Sequence, residues 1–124
     1  MKALHTKSAP AAIGPYSQAI EVNGFVFGSG QIPIDPATGE FVEGGIKEQT
    51  RQALTNAAHI MAVAGIDLSH VVKTRVFLAD MADFAAMNEV YSTFFKEPFP
   101  ARSAVAVKAL PKGALVEVEC VAVK

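Results

Sequence analysis

The sequence predicts an α+β domain of order β-β-α-β-α-β-β, with two helices on one face of a mixed sheet. Three observations carry this prediction. Two β-rich runs flank Asn23-Gly24, two longer segments repeat apolar residues at helical spacing, and two further β-rich runs close the chain. At 124 residues, 51% of them hydrophobic, the chain fits a single domain, 1–124, with a real core.

Each element has its own justification. Gln18 to Val22 and Phe25 to Gly28 read as a hairpin, because Asn23-Gly24 is the pair that best tolerates the positive φ angles of a type I′ turn. Ile32 to Gly39 carries two prolines, Asp35 and Gly39, and reads as a loop. Between Ile46 and Ala64 the apolar positions are Ile46, Ala53, Leu54, Ala57, Ile60, Met61 and Ala64, and Gly65 follows where a left-handed cap belongs. Val71 to Leu78 reads as a strand. Asp80 offers an N-cap, Phe84, Met87, Tyr91, Phe94 and Phe95 form the stripe of a second helix, and Pro98 and Pro100 end it. Val105 to Leu110 and Leu115 to Val123 read as closing strands joined by a Pro111-Lys112-Gly113 turn.

The last strand also predicts assembly. Val116, Val118, Cys120 and Ala122 point one way, while Leu115, Glu117, Glu119, Val121 and Val123 point the other. Both sides carry apolar residues, and two helices cannot cover both. A partner surface should cover the second face, most economically in a homo-oligomer.

Composition excludes several function classes. A net charge of -1, with Lys and Arg scattered, supplies no field for nucleic acid or an acidic membrane. No stretch approaches the roughly 20 apolar residues of a membrane helix. One cysteine rules out an internal disulfide framework and fits a reducing compartment. Met1 to Lys7 lacks the apolar segment of a secretory signal, so a soluble cytoplasmic protein is expected.

Few residues are left to carry chemistry. His5, His59 and His70 lie at no metal-ligand spacing and no Cys pair accompanies them, so no metal is expected. His59 reads as a surface or packing residue of the first helix. Gly28-Ser29-Gly30 lacks the lysine of a phosphate loop, and no serine sits in a nucleophile elbow. Cys120 faces the apolar side of its strand and reads as a small buried hydrophobe. There remain Pro100-Ala101-Arg102-Ser103, placed just before a strand, and Glu117 in its partner strand. A guanidinium there presents a planar fork suited to a carboxylate, although on pattern alone a surface salt bridge is the simpler reading of Arg102. Glu117 sits among Leu115 and Val121, a setting that raises a carboxyl pKa; it could equally be a solvated edge charge or a salt-bridge partner of Arg102. Glu119 shares its face, and spacing does not choose between them.

Together with Ala12-Ile13-Gly14-Pro15-Tyr16-Ser17-Gln18-Ala19, these residues fall into a larger pattern. It runs through Ser29-Gly30-Gln31-Ile32-Pro33, Val72-Lys73-Thr74, Asp83-Phe84 with Asn88 and Tyr91, Pro100-Ala101-Arg102-Ser103, and Leu110-Pro111-Lys112 leading to Val116-Glu117-Val118-Glu119. In this order and at these separations the chain resembles the YjgF-type family, specifically the reactive intermediate deaminase A (RidA) group, over nearly its whole length. The resemblance implies a chorismate-mutase-like fold, a trimer whose sheets enclose a central barrel, and active sites in clefts between subunits.

By position, the resemblance makes Arg102 the clamp for a substrate carboxylate and Glu117 the residue that orients or activates water. Tyr16, Ser29, Gly30, Asn88 and the backbone at Ala104 would line the pocket. Some members have Cys at the position of Ala104, and Lys96-Glu97-Pro98-Phe99 is shorter than in some relatives. The implied activity is hydrolysis of 2-iminopropanoate and 2-iminobutanoate, or their enamine tautomers, to 2-keto acids and ammonia, without a cofactor. A small-carboxylate-binding trimer would need Arg102 but not Glu117. Ribonuclease or translation-inhibitory activity fits poorly with the near-zero charge.

Overall fold

The computed structural model describes residues 1–124. Its main sheet has six strands: β1 (Lys2–Leu4), β2 (Ala19–Val22), β3 (Phe25–Gly28), β6 (Val71–Leu78), β7 (Ala101–Ala106) and β8 (Val116–Val123). They lie in the order β1-β2-β3-β8-β6-β7. A separate two-stranded ribbon joins β4 (Ile34–Asp35) to β5 (Glu40–Phe41). Helix α1 covers Ile46–Val63 and α2 covers Phe84–Phe94.

The expected hairpin forms at β2 and β3, where Asn23 and Gly24 both adopt positive φ, 51° and 80°. Gly65, at φ +77°, ends α1 as expected. Asp80 caps, but what it caps is a 3₁₀ turn, Met81–Asp83, that leads into α2; its carboxylate accepts the Ala82 N–H at 2.8 Å. Only β6 and β7 pair in parallel, because α2 carries the chain back over the sheet between them. The sheet is therefore mixed, with both helices on one face. On that face Val26, Val76, Leu78, Val116, Val118, Cys120 and Ala122 are buried against Leu54, Ile60, Met61, Met87 and Tyr91.

Several expectations need correction. The strand expected over Val105 to Leu110 runs instead over Ala101–Ala106, so Arg102 lies within β7 and not before it. The ladder starts where Ala101 meets Lys73, directly after Pro100. The apolar run misled because β7 is an edge strand and only half covered. Nor do β7 and β8 pair across the Pro111-Lys112-Gly113 turn, since β6 lies between them. The loop expected over Ile32 to Gly39 contains β4, kept to two residues by the prolines on either side. Strand β1 gives no signal of its own and forms because β2 offers it an edge.

The second sheet face is open. Phe25 and Phe27 are 41% and 46% exposed, and Val105, beyond Phe77 in the same layer, is 48% exposed. Phe25 and Phe27 pair with Val123 and Val121, which continues the apolar surface across β8. No helix of the chain is long and apolar enough to cross a membrane.

Candidate active site

The proposed residues gather in two places. The first lies where α2 meets the edge strand β7. Arg102 Nη1–H donates to Asn88 Oδ1 at 2.7 Å, and the guanidinium carbon stands 4.7 Å from the Tyr91 ring centroid and 5.4 Å from that of Phe84. Asn88, Tyr91, Ser92, Phe99, Pro100 and Arg102 line an open cleft of about 500 Å³. The ion pairs of the chain are Lys47–Glu89, His70–Asp67, Arg75–Glu119 and Lys124–Glu21, so Arg102 has no carboxylate partner. That removes the salt-bridge reading and leaves a cation whose charge nothing compensates.

Ala104 follows two residues later on the same side of β7. Val107 N–H donates to the Leu78 carbonyl, and pairing alternates along a ladder, so the Ala104 N–H and C=O point out from the open edge. An edge N–H near a guanidinium is a second donor for an anionic ligand.

The second place lies on the other side of β8. Gln31 and Val118 exchange backbone hydrogen bonds of 2.8 and 3.0 Å, which lays Gly30 against Glu117. The approach is so close that a Cβ on Gly30 would fall 2.1 Å from Glu117 Oε1. Tyr16 and Gly30 line a cleft of about 280 Å³ with Ile13, Gln31, Ile32 and Lys112. The Ser29 hydroxyl donates to the Ser17 carbonyl at 2.6 Å, so it anchors the segment carrying Tyr16.

Electrostatics separate the two glutamates that spacing left equivalent. Glu119 is ion-paired with Arg75, its direct neighbour in β6. Glu117 faces Phe77 and has no cation. Burial first, and the charge of Glu119 second, push the Glu117 carboxyl above its ordinary range. Cys120 lies on the helix face, 2% exposed, with its thiol pushed up to about 12 by burial and secondarily by Glu119, so it is no nucleophile.

Arg102 and Glu117 do not converge. Arg102 pairs with Thr74 and Thr74 with Cys120, on the helix face; Glu117 pairs with Phe77, on the open face. Residues an odd number apart on one strand point to opposite sides.

Three buried amides act as positioning residues: Gln18 and Gln31 lie within the pattern of the resemblance without a role assigned to them, and Asn56 carried no sequence signal, because a buried amide looks like a surface residue in a single sequence. The Gln18 side chain accepts the Thr6 N–H at 2.7 Å and donates to the Pro10 carbonyl at 2.7 Å, fastening the segment before Tyr16. Asn56 donates to the Ile32 and Ile34 carbonyls, and Gln31 donates to the Ser29 carbonyl. No group of three or more His, Cys, Asp or Glu side chains is placed to hold a metal ion.

A family profile described as Endoribonuclease L-PSP matches residues 6–124. The chain is 50% identical over 123 residues to the 2-iminobutanoate/2-iminopropanoate deaminase of Mus musculus, covering 99% of this chain and 91% of that one. Among solved structures it is similar to RidA from the Antarctic bacterium Psychrobacter sp. PAMC 21119, with TM-score 0.96, 46% identity and all of both chains covered. It is also similar to E. coli TdcF with bound serine, with TM-score 0.95, 42% identity, and 100% and 99% of the two chains covered.

Proposed function

Because the chain belongs to the Endoribonuclease L-PSP family, in its YjgF/RidA group, we propose that it is a hydrolytic deaminase of small 2-imino acids. The observation that carries this reading is Arg102: a guanidinium held by aromatic faces and one amide oxygen, with no carboxylate of its own chain. Such a group recognises a substrate carboxylate in two-donor fashion. The serine bound in TdcF carries the same handle.

In the proposed reaction Arg102 of one protomer and Glu117 of a second meet across a subunit cleft of a trimer whose apolar sheet faces enclose a central barrel. Arg102 and the Ala104 N–H hold the carboxylate of 2-iminopropanoate or 2-iminobutanoate, with Asn88 beside the guanidinium and Tyr16, Ser29 and Gly30 forming the opposite wall. Glu117 takes a proton from water as the water oxygen attacks C2, and passes it to nitrogen to give a carbinolamine with a protonated amine. The carbinolamine hydroxyl then gives its proton to Glu117 as the C–N bond breaks and C=O forms, releasing ammonia and the 2-keto acid. A protonated imine is already electrophilic, so orientation and one base lower the barrier enough without a cofactor.

The profile's description refers to a ribonuclease. RNA binding needs a track of clustered cations, whereas Lys and Arg are scattered along this chain and the net charge is -1. The deciding experiment generates imines with an amino-acid oxidase in the presence of semicarbazide. The protein should suppress semicarbazone formation in proportion to its concentration, and undiminished semicarbazone would overturn the reading.

A further inference from the structure

Thr74 stands directly beside Arg102 in the sheet, in the parallel register of β6 and β7. Its hydroxyl is fully buried and shares a hydrogen bond of 2.8 Å with the Tyr91 hydroxyl. Tyr91, 6% exposed, turns its ring face to the Arg102 guanidinium at 4.7 Å and also packs against Phe95, centroid to centroid 4.6 Å. The contacts therefore close a loop from β7 to α2 to β6 and back to β7. A ring bonded at its hydroxyl end and packed against Phe95 is restrained, and so is the guanidinium stacked over it.

We propose that Tyr91 and Thr74 are positioning residues that set the plane of the Arg102 guanidinium for two-donor binding of a carboxylate. This rests on the reading of Arg102 as the carboxylate clamp. Asn88 occupies Nη1 and the Tyr91 ring occupies one face, which leaves the remaining N–H groups for a ligand in the cleft that Arg102 lines. Two parallel N–H···O bonds need that edge held within a narrow range of angles, which a freely rotating arginine does not provide. The Tyr91 and Thr74 hydroxyls are turned to each other and away from Arg102. They act through Arg102, and Tyr91 keeps its proton because burial raises its hydroxyl above the ordinary value.

The test is a mutant cycle read as the affinity for 2-oxobutanoate and as KM against kcat in imine hydrolysis. Tyr91→Phe and Thr74→Val should each weaken 2-oxobutanoate binding and raise KM about 3- to 10-fold, since each leaves the other hydroxyl buried and unpartnered. The double variant should be no worse than either single one, and Thr74→Ser should rescue most of the loss. In an Arg102→Lys background the same changes should alter affinity less than about twofold, because an ammonium is a point charge with no plane to set. Equal losses in the Arg and Lys backgrounds would reduce Tyr91 and Thr74 to general packing and overturn the proposal. So would unchanged affinity in Tyr91→Phe while Arg102→Ala is defective. Wild-type affinity in Arg102→Ala would instead remove the clamp itself.

Discussion

Arg102 and Glu117 project from opposite faces of one sheet, Arg102 beside Thr74 on the helix side and Glu117 beside Phe77 on the open side. One protomer cannot place both on the same ligand. If they share a site, it is assembled from two chains, and two inactive variants should complement one another. Arg102→Ala and Glu117→Gln proteins, dissociated and reassembled together at equal amounts, should regain about a quarter of wild-type activity, because one interface in four would pair an intact arginine with an intact glutamate. Activity that stays at the level of the separate variants would place both residues in independent sites.

The open face predicts assembly. Phe25, Phe27, Val121 and Val123 form one apolar surface across β3 and β8. Covering a large apolar side chain is worth about 1.5–3 kcal/mol, so several together favour a stable oligomer. Sedimentation equilibrium should give three times the 13.1 kDa chain mass. Phe27→Asp, which puts a charge into that surface, should shift the mass toward the monomer; a 13.1 kDa species in the wild type would remove the barrel altogether.

Glu117 has a pH signature in stability as well as in rate. Its carboxyl is raised above the ordinary 4.5, by burial and then by Glu119, so the folded chain binds that proton more tightly than the unfolded chain does. The resulting stabilisation is full below 4.5 and is lost as pH rises through the higher folded value. Glu117→Gln should therefore melt at a higher temperature than wild type at neutral pH, with the difference vanishing in acid. Turnover of Glu117→Gln should fall by about 10² to 10⁴ with 2-oxobutanoate binding nearly intact. The acid limb of wild-type kcat/KM should lie above 4.5, because the base must be ionised to work. Parallel melting curves across pH, or equal turnover, would leave Glu117 without this role.

What the sequence made legible was local. The β2–β3 hairpin, α1 with Gly65 at its end, and β6 each carry turn chemistry or periodicity within a few residues. Edge strands do not: β1 and β7 are defined by what pairs beside them, and β7 begins four residues before the apolar run that suggested it. Arg102 and Glu117 were visible as candidates, but their facing was not, because it depends on β6 lying between β7 and β8. The choice between Glu117 and Glu119 depends likewise on register, which brings Arg75 opposite one and Phe77 opposite the other. The parts of the site that went unread are those set by non-local pairing.

Gly30 offers a test that separates geometry from stability. A methyl at this position would meet the free end of the Glu117 side chain, a movable group and not backbone. Gly30→Ala should accordingly fold and melt close to wild type while its Glu117 carboxylate is pushed out of place. Loss of at least about tenfold in kcat/KM with unchanged melting temperature is the expected result. Full activity in Gly30→Ala would mean that the position of this carboxylate does not matter to turnover.

The reading depends most on Arg102, the one cation of the chain that is stacked on aromatic rings and bonded to an amide. Substrate and product share a single strong handle, the carboxylate, and no other side chain lining that cleft presents a planar two-donor fork. Arg102→Ala should abolish imine hydrolysis and binding of pyruvate or 2-oxobutanoate together. Truncating one partner of a hydrogen-bonded charge pair costs on the order of 2 to 5 kcal/mol, so the loss should exceed tenfold. Arg102→Lys keeps the charge without the fork and should retain part of the binding with badly impaired turnover. Oligomeric mass should be unchanged in both, since Arg102 lies with Thr74 on the helix side and not on the apolar face. Semicarbazone suppression, calorimetry with 2-oxobutanoate and sedimentation on the same preparations keep the three effects apart. Arg102→Ala protein of wild-type mass that clears imines at the wild-type rate would exclude this residue from the site and the carboxylate clamp with it.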